Sequence, residues 1–264
     1  MPTLKKSKVL ILRSAGTNCD QETGFAFKSV GADVEFVHIN KLSSGDRSLN
    51  DYHILALPGG FSYGDDIAAG RIFANELRLK LGDDLRRFIS DGKLIIGICN
   101  GFQILVKAGL LPGESNFKQT ATLMLNTSAK FEDRWVCLKP EGKSVWTKGM
   151  NGVIELPVAH GEGKFIVQND SLLKTLKKNH QIIFRYCDES GKKPKYPQNP
   201  NGSLEDIAGI TDITGRILGL MPHPERHFFV TQHPNWTREK RKSKFGDGAQ
   251  IFQNGVDYVK KNLL

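Results

Sequence analysis

The stretch Lys93–Leu105 (KLIIGICNGFQIL) limits the fold more than any other part of this chain. Leu94 to Ile98 is an apolar run interrupted only by Gly97. A short run with no polar alternation predicts a parallel strand buried on both faces. Gly97-Ile-Cys-Asn-Gly101 follows, and a helix over Phe102–Ala108, closed by Gly109, is expected beyond it. Gly-x-Cys-x-Gly between a strand and a helix is the cysteine form of a nucleophile elbow. Small residues two before and two after let the chain turn tightly and lift the side chain clear of the sheet. The amides that open the helix then face the sulfur and favour thiolate. A packed core thiol is the other reading of Cys99, because free cysteine is often buried.

The flanking sequence repeats the strand–helix theme. Val9–Leu12 reads as a short buried strand ending in the turn-rich loop Ser14–Asp20. Asp20 is placed to cap a helix over Gln21–Val30, which Gly31 ends. Ala32–His38 and His53–Leu57 are further strands, the latter running into Pro58-Gly-Gly60, and a helix over Gly70–Ser90 precedes the central strand. Such alternation predicts an α/β fold: a parallel-core mixed sheet flanked by helices, flavodoxin-like in type, with ligands at the carboxyl ends of its strands. From about residue 119 the pattern changes to short strands over Thr120–Asn126, Arg134–Leu138, Gly152–Val158, Phe165–Val167 and Ile182–Cys187. Ile207–Asp212 and Arg216–Leu220 flank Thr214-Gly215 as a hairpin, and a last helix is expected over Asp247–Lys261. The reading is one domain over residues 1–264, with a smaller antiparallel β-rich part at about 119–220 and a basic C-terminal extension at about 230–264.

No stretch reaches membrane-spanning length, and the first residues lack a signal-peptide apolar region. The four cysteines (19, 99, 137 and 187) form no Cys-x-x-Cys pair, which argues against a disulfide framework or a zinc site and suits a reducing cytoplasm. Residues 1–132 carry 16 basic and 14 acidic groups, and the remainder carries 21 and 14, so most of the +9 net charge lies in the second half. The densest basic run is Trp236–Lys244. Without a nucleic-acid fold signature it reads as a solvated loop or a docking surface for an acidic partner, not as a nucleic-acid or membrane site.

His223-Pro-Glu225 is the second chemical signal. Pro224 pushes His223 into extended backbone, where residues i and i+2 share a face. The carboxylate can then orient the imidazole while the ring meets a third group. If that group is Cys99, the three form a Cys–His–Glu triad of nucleophile, general acid–base and orienting carboxylate. Read alone, His-Pro-Glu is better explained by a surface turn, and it is the elbow beside it that reverses this. Gly60, with the amide of Asn100, could make an oxyanion hole, though Gly-Gly also marks ordinary turns. Gln103 lies one helical turn beyond Cys99, where it could bind an amide substrate or stand in solvent. His160 follows an apolar strand and reads as a pocket wall or interface residue, with a second base as the other option. Cys19 ends a strand but lacks the elbow, so Cys99 is preferred. His227 and His233 are read as surface, and Cys137 and Cys187 as core.

Gly97–Gln103 with His223–Glu225 resembles the triad glutamine amidotransferases. Within them the chain resembles the family of phosphoribosylformylglycinamidine synthase glutaminase subunits, through Gly16–Asp20, Leu57–Asp66, Pro157–Gly163, Tyr196–Ser203 and Gly219–Arg226. The resemblance implies that Cys99 attacks the side-chain amide of L-glutamine to give a glutamyl thioester and ammonia. It implies that His223 moves the proton and activates water, that Glu225 holds His223, and that the Gly60 and Asn100 amides stabilise the oxyanion. Gln103 and His160-Gly161 would hold glutamine. Ammonia would pass to a separate large synthetase subunit, with a small third subunit bridging the two, in an early step of purine synthesis. ATP and magnesium would bind that partner, and this chain would carry no cofactor or metal. Relative to the family, extra length is expected in Asn116–Met150 and Gln232–Lys244. The competing readings are a cysteine hydrolase or peptidase on a related sheet, and a non-catalytic subunit that has kept the pocket.

Overall fold

A computed structural model describes residues 5–113, 117–238 and 243–264. The strands are β1 (Lys8–Arg13), β2 (Asp33–His38), β3 (Ile54–Leu57), β4 (Leu94–Ile98), β5 (Ala121–Met124), β6 (Glu132–Pro140), β7 (Ile154–His160), β8 (Lys164–Val167), β9 (Ile182–Cys187), β10 (Ile207–Thr211) and β11 (Ile217–Leu220). The helices are α1 (Asp20–Ser29), α2 (Ile39–Ser43), α3 (Arg71–Ser90), α4 (Asn100–Lys107), α5 (Asp170–Lys178) and α6 (Ala249–Asn262).

Nine strands form one sheet in the order β2-β1-β3-β4-β11-β10-β9-β6-β7. The pairs from β2 through β4 to β11 are parallel, and those from β11 outward to β7 are antiparallel. The antiparallel strands thus extend the parallel core, and only β5 and β8 form a separate two-stranded sheet. Every residue of β3, β4 and β11 is buried, as uninterrupted apolar runs require once helices cover both faces. α6 closes one side by packing Phe252 edge-on to Phe27 of α1 at a centroid distance of 4.9 Å.

Three local expectations are corrected. Asp20 does not cap α1; it is the first helical residue, and its carboxylate pairs with Arg13 at 2.8 Å. Helices α2 and α5 were not anticipated, although the Asn169 side chain caps α5 at the Leu172 amide and lysines close it, the usual start and stop chemistry. His227 and His233 are buried, not surface residues: both pack edge-on against Trp135, and His233 Nε2 lies 2.9 Å from Glu155. Cys187 is buried as expected and Cys137, its cross-strand partner, is half-buried. The run Trp236–Lys244 lies partly outside the described residues.

The two glycines of the elbow are required by packing as well as by the turn. A Cβ on Gly101 would lie 1.9 Å from the Leu57 carbonyl oxygen, and one on Gly97 would lie 2.6 Å from that of Gly101. The first turn of α4 is therefore pressed directly onto the neighbouring strand. Gly101→Ala is expected to cost about 1–3 kcal/mol or more, read as a lower urea midpoint. An unchanged midpoint would mean that the helix can slide away from β3.

Candidate active site

Cys99 stands between β4 and α4 with φ 52° and ψ −107°. A left-handed conformation at a non-glycine residue is strained and persists only where its surroundings enforce it. Here the Cys99 amide donates to the Leu220 carbonyl at 2.8 Å, and the first turn of α4 follows at once. The side chain is 5% exposed, with Sγ 3.6 Å from the Ala159 carbonyl oxygen.

The parallel register of β4 and β11 pairs Ile98 with Leu220, so both strands end at the same level. The chain leaving β11 therefore reaches His223 beside the elbow. His223 is extended, with φ −101° and ψ 94°, as Pro224 dictates, and its amide donates to the Pro157 carbonyl at 2.8 Å. Its Nδ1 lies 2.7 Å from Glu225 Oε1, and both side chains are buried. Burial alone would lower the imidazole pKa. The Glu225 carboxylate, reinforced by the charge on Cys99, outweighs it and holds the ring well above the usual histidine range. Glu225 Oε2 is buried without a hydrogen-bond partner, while the His223 ring also meets the side chains of Cys19 and Cys99.

Gly59 marks the point where these groups meet. A Cβ there would lie 2.8 Å from His223 Cε1, 3.0 Å from Cys19 Sγ and 3.4 Å from Cys99 Cβ. The Pro58-Gly-Gly60 turn is thus a wall of the site, not a distant loop. Gly60 has φ 145° and bridges to Thr17, with the Phe61 amide donating to the Gly16 carbonyl at 2.9 Å. The Asn100 amide is the first of α4, where amides lack intrahelical acceptors. The Asn100 side chain spans Asp65 Oδ1 at 3.0 Å and Gln103 Oε1 at 2.8 Å, and accepts from the Ser62 amide.

The residues expected to hold substrate lie on the other side of Cys99. Gln103 is buried, not solvated, and its Nε2 donates to the Glu162 carbonyl at 2.6 Å, tying α4 to the segment after β7. Gly161 accepts from the Asn126 amide. His160 Nδ1 lies 3.2 Å from Asn126 Oδ1, while its Nε2 is buried without a partner. Burial, then the charge of His223, pushes the His160 pKa down to about 4, so the ring is neutral near pH 7.

Three neighbours escaped the sequence reading. Lys107, buried one turn beyond Gln103, donates to the Ala69 carbonyl and pairs with Glu162 at 3.6 Å. Asp65 joins Asn100 to the Gly70 amide. Arg226 reaches back to α1, with Nε 3.0 Å from Glu22 and one terminal nitrogen 3.2 Å from Cys19 Sγ. Only Arg226 had a visible signal, its place three residues after His223.

A cysteine on a strained elbow, an imidazole held by a buried carboxylate and a Gly-Gly turn against both are parts suited to acyl transfer from an amide. The model of the CobB/CobQ-like glutamine amidotransferase domain matches residues 6–259. Phosphoribosylformylglycinamidine synthase subunit PurQ of Dehalococcoides mccartyi is 49% identical over 261 residues, covering 98% of this chain and 100% of that protein. The Archaeoglobus fulgidus protein of the same name is 45% identical over 270 residues, covering 96% and 97%. Among solved structures, a chain in the structure of PurLQS from Thermotoga maritima superposes with a TM-score of 0.73 at 31% identity, covering 97% of this chain and 100% of that one.

Proposed function

The chain belongs to the CobB/CobQ-like glutamine amidotransferase domain family, and from that premise we propose that it is the glutaminase subunit of a phosphoribosylformylglycinamidine synthase. It is a glutamine amidotransferase. Its role is to hydrolyse L-glutamine and pass ammonia to an ATP-dependent synthetase subunit, which converts formylglycinamide ribonucleotide to formylglycinamidine ribonucleotide in purine synthesis. The observation that carries this reading is the meeting of Cys99, His223 and Glu225 in a chain matched over nearly its full length by proteins of that name.

In this mechanism Cys99 Sγ attacks the carboxamide carbon of glutamine. The tetrahedral oxyanion is held by the backbone amides of Gly60 and Asn100. His223 gives its proton to the departing ammonia, leaving a glutamyl thioester on Cys99. It then takes a proton from water as the water attacks the thioester, and glutamate and the thiolate are released. Glu225 keeps the ring aimed throughout. Gln103, His160 and Gly161 bound the space for the glutamine side chain. ATP and magnesium belong to the synthetase partner, and a small third subunit bridges the two.

No helix among the described residues is long and apolar enough to cross a membrane. The four free cysteines support a place in a reducing cytoplasm. The test is to incubate the chain with a glutamine-like electrophile and map the adduct by peptide mass. A single adduct on Cys99, blocked by excess glutamine, is expected. An adduct on Cys19 would overturn the assignment of the nucleophile.

A further inference from the structure

The loop Gly16–Asp20 carries a second cysteine near the site, Cys19, to which the chemistry above gives nothing to do. The structure places that cysteine inside the site. Donor atoms of Cys19, Glu22, His223 and Glu225 all lie within 4.8 Å of one another. Cys19 Sγ donates to Asn18 Oδ1 at 3.1 Å and accepts from Arg226 at 3.2 Å. Arg226 also grips Glu22 at 3.0 Å, so the cluster already holds its own cation. The Cys19 backbone is fixed as well, its amide donating to the Gly59 carbonyl at 3.1 Å. One brace therefore links the catalytic turn, the start of α1 and the glycine wall.

Resting on the function proposed above, we infer that Cys19 is a positioning residue: a second sulfur that holds the His223 ring in place beside Cys99, itself locked by Arg226. Its chemistry suits this and not attack. Although Cys19 stands at a helix start, burial, opposed by its contact with His223, pushes its thiol up to about 11, so it stays protonated at neutral pH. A neutral sulfur beside an imidazolium stabilises the ring's proton without competing for it. The need is greatest once Cys99 is a thioester and no longer an anion, when Glu225 and Cys19 are the groups left to keep the ring aimed at water. The groups facing His223 are Cys99 from the elbow, Cys19 and Glu22 from the start of α1, Glu225 and Arg226 from its own turn, and the neutral His160 from β7.

The test is the pH dependence of Cys99 alkylation by iodoacetamide, followed on the Cys99 peptide in the full chain. It needs neither turnover nor a synthetase, so its outcome is separate from that of the proposed function. Cys19→Ala removes a group that favours imidazolium. The Cys99 thiolate then forms at higher pH, and the alkylation midpoint is expected to move up by roughly half a pH unit or more. Glutamine-dependent kcat should fall about 10- to 100-fold while KM stays within about threefold, as for a misaimed catalytic group. Cys19→Ser, which keeps a hydroxyl at the site, should recover part of both. Arg226→Gln, which leaves Cys19 in the core, should shift the midpoint in the same direction by less. A Cys19→Ala or Arg226→Gln profile superimposed on that of the unaltered chain would overturn the proposal, as would a serine variant no better than alanine.

Discussion

Replacing Cys99 with alanine is expected to abolish glutamine-dependent amidation by the assembled synthase and to leave ammonia-driven amidation intact. The loss should be about 10⁴-fold or more, the scale on which removing a covalent nucleophile acts. The substitution deletes one buried sulfur, which approaches the Ala159 carbonyl at 3.6 Å and meets the His223 ring. It also relieves nothing that the fold depends on, because the strained turn is enforced by Gly97, Gly101 and the Leu220 carbonyl. The folded chain should therefore still bind its synthetase. The measurement compares product formation with glutamine against product formation with an ammonium salt. Loss of both activities would mean that Cys99 supports structure and not chemistry. Retention of both would place the nucleophile elsewhere.

The second large effect is expected at Glu225. Glu225→Gln preserves shape but removes the charge that holds the His223 imidazolium. It should lower glutamine-dependent kcat by about 10⁴-fold, the scale seen when the orienting carboxylate of a triad is neutralised. The variant also carries a stability signature. The folded-state pKa of His223 is raised, so the protonated ring contributes stability that is complete below the ordinary histidine value of about 6.5 and is lost as pH rises through the folded value. The urea-midpoint gap between the native chain and Glu225→Gln should be widest in mild acid and narrow toward alkaline pH. A gap that widened with pH would mean that the ring is buried neutral and that Glu225 is not its counter-ion.

Much of this site could be read from the chain because its demands are local. A strand buried on both faces must be apolar, and an elbow pressed onto a neighbouring strand must have glycine at 97 and 101. A residue before proline must be extended, so His223 and Glu225 had to share a face. Each constraint acts over a few residues, and composition and order are enough to express it.

What the sequence by itself determined was the parallel α/β core, the elbow and the orientation of the His-x-Glu pair. Only the tertiary structure decided that β11 lies beside β4 in the register that brings His223 to Cys99, and that Asn18–Asp20 and Arg226 close on the same point. Those contacts join residues more than 120 positions apart, and Cys19 and Arg226 are separated by 207. No local rule governs such pairs, because strand order and loop closure follow from how the whole apolar surface is buried. The same reason explains the errors over His227 and His233. A polar residue outside a periodic apolar pattern looks solvated until another element is known to cover it.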